Sequence, residues 1–151
     1  MTCPASIAPT SRLLGYAGLL PQLAAVTLVA SGRGELYFFG RVLALVYGIV
    51  ILSFLGGVWW GFAVRRTSGQ GALAAVAVVP SLAGVALMIA VQFGLPLPGA
   101  LVLLGVLIAL TLLVDRRLAA TGEAPAGWMR LRAPLSLGLG GLTVLAGVLA
   151  R

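Results

Sequence analysis

The sequence contains no histidine and no lysine, one cysteine and three acidic residues, and these shortages exclude whole classes of protein. Metal sites and general acid–base centres are built mostly from histidine, cysteine and carboxylates. With carboxylates only at Glu35, Asp115 and Glu123, the chain offers no recognisable catalytic, cofactor-binding or metal-binding set. Cys3 has no second cysteine with which to form a disulfide. We therefore predict that the protein is not an enzyme and carries no cofactor.

Apolar residues, by contrast, are abundant. They make up 61% of the 151 residues, charged residues make up 9%, and the mean hydropathy is +1.14, far outside the range of soluble domains. The apolar residues form long uncharged blocks without the alternation of barrel strands, which predicts α-helices that cross a membrane. We expect an all-α bundle of five transmembrane helices, a single domain over residues 1–151. The predicted spans are about 13–30, 42–64, 71–93, 98–114 and 135–150.

The last and the first of these blocks each leave an alternative open. The last block is about 24 Å long as a helix, short for a hydrocarbon core of about 30 Å. It either extends back across Pro134 or enters the membrane without crossing it. The first block follows Arg12 and could be a cleaved signal peptide, but Pro21 and Gln22 interrupt its apolar run, so we favour a span.

All ten basic residues are arginines, and their positions predict the topology. With five spans, seven of them fall on the side of the N-terminus and three on the other side. Because cytoplasmic loops are enriched in basic residues, we expect the N-terminus in the cytoplasm and the C-terminus in the periplasm. The positive-inside distribution of the arginines accounts for the net charge of +7, and a nucleic-acid partner is not expected.

A ridge of small residues marks the second predicted span. Ser53, Gly57 and Gly61 are spaced four apart, which places them on one helix face, with Gly56 and Trp60 beside them. Such a face lets another helix backbone approach closely in lipid. We predict that this ridge packs against a helix, most simply within the chain, or else in a second copy or another subunit.

The two adjacent tryptophans of the second span precede Arg65 and Arg66 by about one turn. We interpret Trp59 and Trp60 as interfacial belt residues, whose rings enter the apolar layer while the indole N–H remains in water. Trp60, beside two glycines, could instead form the wall of a pocket for a lipid, a quinone or another apolar ligand.

Polar and kinking residues interrupt two of the spans. Pro21 and Pro80 each remove a backbone hydrogen bond, and each is followed by a polar residue, Gln22 or Ser81. Gln22 is the most polar side chain deep in any span, so we expect it to face protein and to link helices. Gly105 with Ala109, Ser136 with Gly140, and Thr143 with Gly147 give further small-residue faces.

Asp115 closes the fourth span at the predicted cytoplasmic interface. One of the arginines on the same side, at positions 65, 66, 130 and 132, lies within plausible reach of it. We favour an ion pair that orients the chain in the headgroup layer over a switchable pair. In the segment 127–135, Trp128 and the leucines fall on one side and Arg130 and Arg132 on the other, which predicts a short interfacial helix.

Five segments occur together in an order that we recognise: LGYAGLLP at 14–21, ILSFLGGVWWG at 51–61, VPSL at 79–82, Asp115, and WMRLRAPLS at 128–136. In these the chain resembles the transmembrane-protein-69-like family, or domain of unknown function 3429, of small bacterial inner-membrane and mitochondrial proteins. The resemblance covers nearly the whole chain. It implies five transmembrane helices and an inner-membrane location, and it implies no activity.

The predicted spans hold no charged residue, which disfavours an ion-coupled transporter. We expect an accessory or assembly factor that packs against other membrane helices, with the lipid bilayer and other subunits or further copies of itself as partners. A small oligomeric transporter or channel, with the Pro21 and Pro80 breaks lining a shared cavity, is the alternative.

Overall fold

The structure, a computed structural model, describes residues 8–150 and folds them into helices joined by short connections, with no strand in this part of the chain. The helices are α1 (Pro9–Ala17), α2 (Leu20–Ala30), α3 (Gly34–Ala63), α4 (Gln70–Gln92), α5 (Leu97–Ala120) and α6 (Trp128–Leu149). The interpretation of Cys3 and the position of Arg151 lie outside the described residues.

Helices α1 and α2 together form the first span, and the break between them has a local cause. Pro21 has no N–H with which to bond the carbonyl group one turn earlier, so the helix is interrupted at Gly18 and Leu19. The Gly18 amide turns back to the carbonyl oxygens of Gly15 and Leu14 at 3.1 and 3.2 Å. The hydroxyl group of Tyr47, on α3, donates to the Gly18 carbonyl oxygen. A side chain from the neighbouring span thus satisfies a backbone group at the break. Helix α4, by contrast, continues through Pro80.

Five segments of the described chain are long and apolar enough to cross a membrane, of 22, 30, 23, 24 and 22 residues. The predicted all-α architecture with five spans is confirmed. At 1.5 Å per residue even the shortest segments are about 33 Å long. Helix α6 extends back across Pro134, which is the first of the two alternatives left open for the last block.

Four helix ends extend beyond the predicted bounds by four residues or more, the first of them at α1, which begins at Pro9 instead of 13. Helix α3 begins at Gly34 instead of 42, and α5 continues past Asp115 to Ala120. Helix α6 begins at Trp128 and runs through the span, so the separate interfacial helix predicted at 127–135 is wrong. The apolar block marks the hydrocarbon layer, but a helix keeps its backbone hydrogen bonds into the interface and there carries polar residues.

Close contacts between glycine-bearing faces hold the bundle together. On α5 and α6, a Cβ built on Gly105 would lie 2.5 Å from the carbonyl oxygen of Gly140, and one built on Gly140 would lie 2.7 Å from that of Gly105. Real Cβ atoms essentially never make such contacts, so the crossing requires glycine on both helices. Helix α3 packs on α2, α4, α5 and α6, which makes it the central helix.

Large apolar side chains cover the outer surface of the bundle, and a second set of apolar side chains fills its centre. Phe54, Leu82 and Phe93 are among those exposed, and Leu52, Leu101, Leu104 and Ile108 are buried. An apolar exterior around an apolar interior is typical of a bundle with lipid as its solvent.

Candidate functional site

The most organised polar site is a buried cluster around Asp115, made by three helices. Asp115 lies in the second half of α5, Trp59 near the end of α3, and Trp128 and Arg132 in the first turns of α6. Trp128 and Arg132 are four residues apart and therefore share one face of α6. The cluster ties these three helices together at the end of the bundle where most of the arginines lie.

Both oxygens of the Asp115 carboxylate accept two hydrogen bonds. Oδ1 accepts from the indole N–H groups of Trp59 at 3.1 Å and Trp128 at 3.2 Å. Oδ2 accepts from Nε and Nη2 of Arg132 at 3.0 and 2.9 Å. Asp115 has an exposed fraction of 0% and Arg132 one of 9%. A charge removed from water needs a partner and hydrogen bonds on its remaining lone pairs, and this carboxylate has both.

Aromatic rings surround the ion pair. The Arg132 guanidinium group lies 5.7 Å from the ring centroid of Trp128, a cation–π distance. The same indole ring packs against Phe62 of α3 in an edge-to-face arrangement, with a centroid distance of 5.7 Å and an interplanar angle of 87°. Both contacts pack against the ring of Trp128, whose indole N–H donates to Asp115.

A second ion pair, at the surface of the same end, joins two loops. Arg66 Nε and Nη2 donate to the two carboxylate oxygens of Glu123 at 2.6 and 2.7 Å, and the Thr121 hydroxyl group donates to Glu123 Oε1 at 2.8 Å. The Arg66 guanidinium and then the Thr121 hydroxyl lower the pKa of Glu123, and the hydrogen bond to Glu123 raises the pKa of Arg66. The α3–α4 and α5–α6 connections are thereby linked.

Gln22 forms the deepest polar contact between spans. Its side chain is fully buried, and Nε2 donates to Thr143 Oγ1 of α6 at 2.8 Å. The Thr143 hydroxyl group donates in turn to the Leu139 carbonyl oxygen at 2.7 Å. Gln22 therefore faces protein and links α2 to α6. Its own Oε1 has no hydrogen-bond partner within the described part of the chain.

The predicted ridge does not pack within the chain. A Cβ built on Gly57 or Gly61 would meet no described atom within 4 Å, and both glycines are exposed. Ser53 is half-buried and Trp60 exposed. Only Gly56 makes a close contact, because a methyl group there would collide with the carbonyl oxygen of Ala77 on α4. The prediction of an intrachain contact along this ridge is wrong.

The face of α3 that does pack is a longer series with the same spacing. Gly40, Ala44, Gly48, Leu52 and Gly56 are all buried. Four residues turn a helix by about 400°, so each step moves the series about 40° around the helix. A Cβ on Gly40 would strike α2, one on Gly48 would strike Leu104 of α5, and one on Gly56 would strike α4. This series is longer than the predicted ridge, and its length was the sequence signal that could have identified the packed face of α3.

The two adjacent tryptophans have different environments. Trp59 is buried and donates to Asp115, so its predicted role as a belt residue is wrong, whereas Trp60 is about half exposed. Consecutive residues of a helix point about 100° apart, so one of the two tryptophans faces the bundle while the other faces outward.

The remaining predicted residues are divided between the interior and the surface. Pro80 is buried beside Gly56, Ser81 is half-buried, and Pro21 lies at the break in the first span. Arg130 is exposed, whereas Arg132, which we predicted to lie on the same outward side, is buried. Among the described residues, no group of three potential metal ligands lies together.

An apolar bundle with five helical segments long enough to cross a membrane and an apolar outer surface defines a multi-pass integral membrane protein. A family model described as Protein of unknown function (DUF3429) matches residues 7–148. The chain belongs to this family. No curated protein and no solved structure matches it.

Proposed function

We propose that the protein is a non-enzymatic accessory or assembly factor that packs against helices of other proteins in the bacterial inner membrane. The observation that carries this proposal is the closed centre of the bundle. Leu52, Leu101, Leu104 and Ile108 have exposed fractions between 0 and 2%. Side chains packed to this degree fill the centre of the described bundle, which argues against a solute path through one copy.

The polar groups in the spans also support a structural role. Asp115, Thr111 and Thr143 are buried, and each is hydrogen-bonded inside the chain. Transported ions and catalysed reactions need ionisable or polar groups that face a cavity in the membrane. Here the only charged groups buried in the described chain, Asp115 and Arg132, are bonded to each other.

The uncovered half of the small-residue ridge supplies a surface for the partner helix. Gly57 and Gly61 lie four residues apart on α3, and no described atom of the chain occupies the space over them. A helix backbone from another protein, or from a second copy, can approach closely there. Phe54 and Trp60, both exposed, provide apolar area on either side of it.

Native mass measurement of the tagged protein, purified in mild detergent at native expression, tests this proposal. We expect a complex of fixed stoichiometry that Gly57→Leu dissociates while the thermal midpoint of the protein is kept. Gly141→Leu is the matched control, because Gly141 is another exposed helical glycine with free space around it. An unbound monomer at native expression, or a complex that withstands Gly57→Leu, would contradict the proposed docking.

A homo-oligomer would shift the interpretation toward a small transporter or channel. Flux through liposomes containing the purified protein separates the two, because an accessory factor conducts nothing. Pro80→Ala should then have no effect on flux if the protein is an accessory factor, and should change it if the proline breaks line a shared path.

The orientation in the membrane is part of the proposal and rests on charge. Among described residues, seven arginines lie at the end formed by the start of α1 and the α3–α4 and α5–α6 connections, and two at the other. The positive-inside rule then places the N-terminus in the cytoplasm and the C-terminus in the periplasm. A fluorescent protein or a phosphatase fused after Arg151 tests this. Phosphatase activity is expected, and fluorescence from the fused protein would reverse the orientation.

A further inference from the structure

A cleft opens between α1, α3 and α6 at the arginine-rich end. Its volume is about 410 Å³, and it extends from Trp128 and Arg132 near the end of the bundle to Leu139 and Leu19 near its middle. Helix α1, which forms one wall, has no buried residue, so the cleft lies at the outer surface of the bundle. Most of the wall is apolar, with Ile51, Phe54 and Val58 contributed by α3.

The length of the cleft corresponds to one leaflet. Trp128 and Leu139 are eleven positions apart on α6, which is about 16 Å along a helix, and half of a hydrocarbon core is about 15 Å. An apolar groove of this length, parallel to the helices and open to the side, fits a single extended acyl chain.

Two polar side chains in the wall lack part of their hydrogen bonding. Arg132 uses Nε and Nη2 for Asp115, and its Nη1 donates to no atom of residues 8–150. Ser136, one turn deeper on α6, is 2% exposed, and its hydroxyl group has no partner in the same range. Buried polar groups are normally satisfied, so the Ser136 hydroxyl group calls for a partner. Nη1 of Arg132, one turn away on α6, is a second donor that the same ligand can use.

The charge around the opening selects the ligand. Asp115 balances the charge of Arg132, so the excess positive charge comes from exposed Arg12 and Arg130, which adjoin the wall residues Ser11 and Leu131 in the sequence and therefore lie at the same end of the bundle. A phosphoglyceride has a phosphate group close to its ester carbonyl groups, which matches donors at Arg132 and at the deeper Ser136. Basic pockets between transmembrane helices favour anionic headgroups.

We propose that this cleft is a binding site for one anionic phospholipid of the adjacent leaflet. One acyl chain fills the groove, the phosphate group bonds Arg132 near Arg12 and Arg130, and an ester carbonyl group approaches Ser136. The binding of this lipid holds α1 against α3 and α6. This site does not depend on the accessory role or on the direction in which the chain is inserted.

Native mass spectrometry of the protein from nanodiscs of phosphatidylglycerol and phosphatidylcholine in equal amounts tests the proposal. We expect one retained phosphatidylglycerol per chain. Val58→Trp should fill the cleft and reduce the retained fraction about tenfold, because the larger side chain keeps the lipid from reaching Arg132 and Ser136 and so removes about one charge-assisted hydrogen bond. Val79→Trp is the matched control, because Val79 lines a smaller apolar cleft of about 190 Å³ without a charged residue.

The headgroup is tested with a variant that leaves the core intact. The double variant Arg12→Gln, Arg130→Gln changes only exposed side chains and should abolish the preference for phosphatidylglycerol while the thermal midpoint in detergent stays the same. Equal retention of the two lipids by the unmodified protein would show ordinary boundary lipid and overturn the proposal. Retention that Val58→Trp does not reduce, or a copurified neutral quinone in the cleft, would overturn it as well.

Discussion

Two ion pairs at one end of the molecule use the same two arginine nitrogens, Nε and Nη2, and have very different surroundings. Arg132 approaches Asp115 to 2.9 Å, with side-chain exposures of 11% and 0%. Arg66 approaches Glu123 to 2.6 Å, with exposures of 28% and 25%. The shorter distance belongs to the more exposed pair, whose groups water can solvate when the pair separates. Burial, and not distance, therefore determines what each pair contributes, since a buried charge that loses its partner remains uncompensated.

The largest effect is expected from Asp115→Asn. This change leaves the Arg132 guanidinium group buried without a counter-charge and replaces a carboxylate that accepts four hydrogen bonds. Breaking one half of a buried ion pair costs about 3–5 kcal/mol. The loss of stability is measured by heating the protein in mild detergent and recording how much of the monomer peak remains in size-exclusion chromatography. Glu123→Gln serves as the exposed counterpart.

A second variant separates the effect of the uncompensated Arg132 charge from the effect of losing the carboxylate group. In Asp115→Asn combined with Arg132→Met both charges are gone, and removal of a whole buried pair is often close to neutral. We expect the double variant to be more stable than Asp115→Asn alone. If Asp115→Asn costs no more than Glu123→Gln, burial does not distinguish the two pairs.

The two neighbouring tryptophans give the next largest effect. Trp59→Phe keeps an aromatic ring but removes one N–H donor to the buried carboxylate, and a hydrogen bond to a charged group contributes about 1.5–3 kcal/mol. Trp60→Phe removes no hydrogen bond within the described chain, so we expect a change within about 0.5 kcal/mol. The same heating assay in detergent compares them. Equal losses would show that the indole N–H of Trp59 contributes nothing to the cluster.

The choice between Trp59 and Trp60 illustrates what could not be predicted. The number of spans follows from apolar length, which depends on composition alone. Which face of a helix points into the bundle depends on how the helix is rotated about its axis. In soluble proteins this rotation is predicted from a polar stripe, which membrane helices lack. Ser53, Gly57 and Gly61 appeared to mark the inward face of α3, but Gly48 and Gly56 mark it. A ridge of small residues gives a periodicity without showing which way it points.

The Asp115 cluster was predictable in part for a different reason. Topology placed Asp115 on the same side as four candidate arginines, and one of these, Arg132, is its partner. The spacing of Trp128 and Arg132 also predicts that both can reach one acceptor from α6. The burial of the pair was not predicted, because α5 and α6 were assigned ends at the limits of the apolar blocks. Both helices continue beyond those limits, and the cluster forms between these extensions.

The smallest effect is expected from the exposed pair, and it should depend on pH. Arg66 and Thr121 lower the pKa of Glu123 below its ordinary value of 4.5, so folding favours the ionised form. Such a group stabilises the fold fully above the ordinary pKa and loses this contribution as the pH falls through the lowered value. As the pH falls below this ordinary value and through the lowered one, the stability difference between the unmodified protein and Glu123→Gln should shrink toward zero. Because high salt screens exposed charges, it should also reduce the difference at neutral pH. A difference that persists in acid would mean that Glu123 acts through packing instead of charge.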